Sequence, residues 1–153
     1  MENSSAKQKY KTIQLIYMAM LVPMIVFSGF VYYSNFKAGN MASTEPNIWL
    51  YLPFGLMLMA ILMARPLYTK ALQNTEGKTL DQKLSVLMTA LIVRMAPFEA
   101  AGLFAAASAY ITGNNTILLL VLIILIQFYT NRPTLLKVEN DLKVTREEIE
   151  SIR

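Results

Sequence analysis

The stretch RMAPFEAAGLFAAASAY, residues 94–110, places Arg94 and Glu99 inside a run that otherwise reads as a membrane span. A carboxylate in such a run can carry a proton or cation, or it can act as a hydrogen-bonded joint between helices. A charged side chain at the bilayer centre costs about 3 kcal/mol on insertion scales, so an acid kept there marks a functional position. Two things relieve that cost: protonation of the carboxyl, or hydrogen bonds from polar neighbours. Other chemistry is scarce. The chain has no His and no Cys, which removes thiol catalysis, His-ligated haem and ordinary zinc sites. There is no glycine-rich phosphate loop and no acidic cluster in the apolar runs, so no enzyme signature is present. Most of the ten Met residues lie in or beside apolar helices, where gap-filling explains them better than copper. No cofactor is expected.

The elements that must hold Glu99 follow from hydropathy. Apolar residues make up 55% of the chain and charged residues 16%, too apolar a balance for an ordinary soluble domain. Four runs, about 13–33, 48–66, 88–111 and 116–131, approach the roughly 20 helical residues that cross a bilayer core. They are continuous rather than alternating, so helices are the spanning option. The first run is too long for a signal-peptide core and no A-x-A site follows it, so it reads as an uncleaved span.

The expected fold is all-α: a polytopic four-helix membrane bundle of two tandem hairpins, forming one membrane domain over residues 1–153. Basic residues divide twelve to one between the two sides of these spans, which puts both termini in the cytoplasm. A bacterial inner (plasma) membrane is the expected location. Nucleic acid is not an expected partner, because the positive charge follows topology. Arg65, Arg94 and Arg132 fall at the inner edge as interfacial anchors, and Trp49 joins Tyr32, Tyr33, Tyr51 and Tyr110 in an outer aromatic belt.

Helix extensions beyond the inner surface are also legible. Thr79-Leu-Asp-Gln82 is a capping box that starts a helix near residue 80, and Thr145-Arg-Glu-Glu148 is a second. Leu84, Leu87 and Leu91 recur at helical spacing, as do Leu135, Val138 and Leu142. Pro133 is placed to open a further helix, so residues 133–153 form a cytoplasmic helical tail. These stripes are expected to pack on one another rather than on a partner. Arg65-Pro66-Leu-Tyr-Thr-Lys70 and Arg132-Pro133-Thr-Leu-Leu-Lys137 share the pattern R-P-x-x-x-K, a hint of duplicated hairpins.

Depth follows from the TGNN turn, residues 112–115, which makes the last two spans antiparallel. At about 1.5 Å per residue, Arg94 lies level with Pro133 and Glu99 level with Phe128, roughly 7 Å deeper. A polar layer of Glu99, Gln127, Tyr17 and Gln14 is therefore expected. Glu99 and Arg94 are about 140° apart around an ideal helix, so they are not a natural ion pair. Ala101, Ala105 and Ala109 form a small-xxx-small row suited to close helix contact, and the expected partner for it is a neighbouring subunit or a second copy.

The segment from Arg65-Pro66 through LMTALIVRMAPFEAAGLFAAASAY loosely resembles the rotor-ring c subunits of F-type ATP synthases. The likeness is a polar loop with Arg and Pro, then a helix carrying a carboxylate among small residues. It implies that Glu99 stands at the ion-carrying position. The preceding helix has only Gly55 where that family repeats glycines. As a whole the chain looks like small four-helix membrane proteins of bacteria. The functional expectation is a non-catalytic structural or accessory subunit of a membrane complex, or a homo-oligomer. The alternative is a proton- or ion-translocating subunit with Glu99 as the titrating group.

Overall fold

The computed structural model describes residues 2–39, 48–73, 75 and 77–152. Most of the 34–47 connection and Arg153 lie outside the described residues. The protein is all-helical, with 88% helix and no strand among the described residues. In chain order the helices are α1 (Glu2–Ala38), α2 (Ile48–Ala71), α3 (Leu80–Thr112), α4 (Leu118–Thr130), α5 (Leu135–Leu142) and α6 (Arg146–Ser151). A 3-10 turn, Asn115–Ile117, leads into α4.

The helix ends follow local chemistry. Thr79 caps α3 by accepting from the Gln82 N–H, while the Gln82 side chain accepts from the Thr79 N–H. The same reciprocal pair, Thr145 and Glu148, opens α6. Both expected boxes are therefore present, and each satisfies two N–H groups that the helix itself leaves free. Gly113 ends α3 in the left-handed region with φ 68°, where a side chain would be strained. The Asn114 side chain then accepts from the Thr116 N–H at 2.9 Å, turning the chain toward α4.

Three helices, α1, α2 and α3, are long and apolar enough to cross a membrane, and the count rises to four if the bent pair α4–α5 is one span. The difference from the expected four lies in α4, which has 13 residues. At 1.5 Å per residue it is about 20 Å long, short of the ~30 Å hydrocarbon core. It bends by 71° into α5. That break also separates the two R-P-x-x-x-K segments. Pro66 lies inside a continuous α2, and Pro133 sits between two helices. The shared pattern therefore has two different structures. The fifth helix opens at Leu135 with Thr134 as its cap, two residues after the proline.

Two clusters of buried side chains hold the bundle. One gathers Ala60 and Ala64 of α2, Met24 and Val31 of α1, the buried face of α3, and Ile124 and Phe128 of α4. The other brings the start of α1 (Ala6, Tyr10) and the end of α2 (Tyr68) onto Leu84, Leu87 and Leu91, with Val138, Leu142 and Ile152 closing over them. Both leucine stripes thus pack on one another, and both chain ends meet at the same end of the molecule. At the opposite end Asn35 is buried and donates to the Ala109 carbonyl and to Asn115 Oδ1, each at 2.9 Å.

Candidate functional site

Position in α3 decides what Glu99 can do. Buried residues Met95, Phe98, Ala101, Gly102, Ala105, Ala106 and Ala109 cover one side of this helix. The other side carries Ile92, Ala96, Glu99, Leu103, Ala107 and Tyr110, all half-buried or exposed, with Ala100 exposed beside them. Their spacing is that of one helical face. Glu99 therefore lies on the outward stripe. No hydrogen bond or ion pair from any described residue reaches its carboxylate, Arg94 included.

The expected polar layer separates into parts. Tyr17 does lie level with Phe128: their ring centroids are 5.7 Å apart, and the Tyr17 hydroxyl donates to the Phe128 carbonyl at 2.7 Å. That hydroxyl is spent on backbone, not on Glu99. The Phe128 carbonyl, in the last turn of α4, also accepts from the Asn131 N–H at 3.1 Å, a tightened i+3 contact that leaves a lone pair for the tyrosine. Tyr10, one heptad earlier on the same face of α1, donates to the Pro133 carbonyl at 3.0 Å. Gln14 lines the groove between these tyrosines and Arg132. Gln127 is half-buried, and its carbonyl accepts from Thr130 and Asn131. Tyr17 and Phe128 are level, while the facing of the side chains did not follow from depth.

Arg94, expected as an interfacial anchor, lies against this chain's own helices: its guanidinium carbon is 4.6 Å from the centroid of the Tyr68 ring, and its Nε is buried without a hydrogen-bond partner. Lys137 of α5 sits 5.9 Å from the same ring and donates to Asn131 Oδ1 at 3.1 Å. The Tyr68 hydroxyl donates to the Asp141 carboxylate. Burial first, and the nearby Arg94 second, hold the Lys137 ammonium below the ordinary lysine range, opposed by Asp141. This knot of two cations, one acid and one aromatic ring was not anticipated. The signal was available in helical spacing, since Arg94 falls on the same side of α3 as Leu87 and Ala101.

The remaining anchors are simpler. Arg65 is exposed, and its carbonyl accepts from the Thr69 hydroxyl at 2.6 Å. Arg132 is exposed, with its guanidinium 5.1 Å over the Tyr129 ring. Trp49 stacks on Phe104 with centroids 5.9 Å apart. The row Ala101, Ala105 and Ala109 is at most 2% exposed, covered by this chain's own helices. It is not on the surface that a neighbouring subunit would touch. Among the described residues no group of three or more His, Cys, Asp or Glu side chains is gathered as a metal site would need.

Helices of this length and apolarity point to the class of helical membrane proteins. No protein-family model, curated protein or solved structure matches the chain.

Proposed function

We propose that the protein is a four-span integral membrane protein of a bacterial inner membrane, both termini cytoplasmic, that serves as a non-catalytic structural or accessory subunit. Its partner is another membrane protein or a second copy of itself. The observation that carries this reading is the outward, unpartnered Glu99 among Ala96, Ala100 and Ala107. Small side chains let a second helix approach closely, and a carboxyl facing hydrocarbon is relieved by a donor on that helix. The docking row is thus Ala96, Ala100 and Ala107, in place of the buried alanines. The twelve-to-one division of basic residues supports the orientation.

The second reading makes Glu99 the titrating group of a proton- or ion-translocating subunit. The same outward exposure favours it, because a carboxyl at the bundle surface is reachable from outside the chain.

Native mass spectrometry after gentle extraction, on wild type and Glu99→Gln, separates the two. A fixed-ratio complex with another membrane protein that weakens in the variant supports the subunit reading. A closed homo-oligomer that survives the substitution and conducts protons only with Glu99 intact overturns it in favour of the second.

A further inference from the structure

The break between α4 and α5 opens a groove of about 700 Å³ against α1. One wall is a single face of α1, with Lys11 and Gln14 at the upper end and Leu15 and Met18 at the other. The second wall is the break itself, with Arg132, Thr134 and Leu135. Tyr10 and Tyr17 shape the space between, their hydroxyls fixed on the Pro133 and Phe128 carbonyls. No carboxylate is among the described lining residues, so the two cations there are uncompensated within the groove. Neither Lys11 nor Arg132 is paired with an acid among the described residues.

Chemistry is graded along the groove. From Lys11 to Met18 is seven residues, about 10 Å of helix. Over that distance the wall passes from an ammonium to Leu15 and Met18, which are 70% and 53% exposed. The first turn of α5 begins at Thr134 and Leu135, so its N–H groups and the positive end of its dipole lie at the cationic end. Thr134 accepts from the Lys137 N–H, which leaves its own hydroxyl proton available. A ligand matching this gradient has a phosphate at one end and a hydrocarbon chain at the other.

We infer that the groove holds an anionic phospholipid of the inner leaflet, phosphate between Lys11 and Arg132 and one acyl chain along Leu15 and Met18. The inference rests on the membrane embedding proposed above and not on the subunit role. Tyr17 and Gln14, gathered there with Arg132, then belong to a lipid site rather than to the Glu99 layer.

The test is bound-lipid analysis of protein released from nanodiscs of equal parts phosphatidylglycerol and phosphatidylcholine. Wild type should retain phosphatidylglycerol with a preference of about thirtyfold, the scale expected from two basic residues near an anionic surface. Lys11→Gln with Arg132→Gln should abolish the preference. The charge-keeping pair Lys11→Arg with Arg132→Lys should retain it, which guards against misfolding of the neutral variant. Lys70→Gln, at the same end of the molecule and outside the groove, should change nothing. Equal retention of both lipids by wild type, or a preference that survives neutralisation of both cations, overturns the inference. A chain that leaves the membrane fraction on carbonate washing defeats the membrane reading itself, a result separable from loss of lipid preference alone.

Discussion

The two buried clusters of this protein solve the same packing problem with different residues. In the apolar-length part of the bundle, six of the fifteen buried side chains are alanine. At the end that carries both termini, two of twelve are alanine, and Leu, Val, Ile and Tyr fill the rest. The contrast is the one that the proposed membrane embedding would produce, with one cluster in hydrocarbon and the other in water. Against hydrocarbon, burying a Leu gains little over leaving it in lipid, so helices associate by close approach of small residues. Against water, each buried aliphatic side chain contributes roughly 1.5–3 kcal/mol. Polar contacts divide the same way. The terminal end ties α1 to α3 through Lys9, Ser5 and Asp81, and α2 to α5 through Tyr68 and Asp141.

That comparison is open to direct attack. The largest effect is expected at Leu84, which is fully buried in the terminal cluster. Leu84→Ala should destabilise that end by about 3 kcal/mol, as lost transfer energy plus a cavity. Amide exchange should accelerate in residues 80–91 and in α5, while the fluorescence of Trp49, at the other end, stays unchanged. In the apolar part the damaging direction reverses. Ala105 is fully buried, so Ala105→Leu should cost about 2 kcal/mol by overpacking. It lies next to Phe104, on which Trp49 stacks, so the Trp49 emission should shift. Equal sensitivity of both regions to truncation and to enlargement would dissolve the contrast between the two solvents.

The fold was largely legible because its signals are local. Capping boxes at Thr79 and Thr145, the turn at Gly113 and the leucine stripes each depend on residues a few positions apart. Four crossings were read where three or four stand, since hydropathy registers the apolarity of 116–131 but not that α4 is only 13 residues long. Of the site, the level of Tyr17 against Phe128 was legible, and the direction of the side chains was not. Tyr17 came out level with Phe128, as expected, because rise per residue is nearly constant. Which carbonyl it would serve depended on the break at Pro133, and Pro66 in the same motif makes no break. Helical spacing puts Arg94 on the buried side of α3, but its partners Tyr68 and Lys137 come from two other helices that no spacing rule connects to it. The alanine row was misassigned for a related reason. Small residues occur on both sides of α3, and only the placement of α1, α2 and α4 distinguishes the inner side from the outer.

The smallest effect sharpens the comparison from the terminal cluster. Asp81 lies outside the expected spans, in the first turn of α3. Hydrogen bonds from Lys9 first and Ser5 second hold its carboxylate below the ordinary value of 3.8, against an opposing desolvation. A folded-state pKa below the unfolded one means that the ion pair contributes stability above the ordinary carboxylate range and loses it as pH falls through the depressed value. The pair is partly exposed, with side-chain exposures of 36% for Lys9 and 27% for Asp81, so solvent screening keeps its contribution near the small class of surface salt bridges. At neutral pH, Asp81→Asn should melt slightly below wild type in detergent, and added salt should narrow the gap. As pH falls through the depressed value the wild-type carboxyl takes up its proton, and the two melting curves should converge. Variants confined to the alanine-rich cluster should show no such convergence, since no titrating group is among its buried residues. A gap between wild type and Asp81→Asn that persists undiminished in acid would mean that the Lys9 contact acts through packing of the lysine stem. In that case the α1–α3 contact at the terminal end would owe its cohesion to apolar packing rather than to the ion pair.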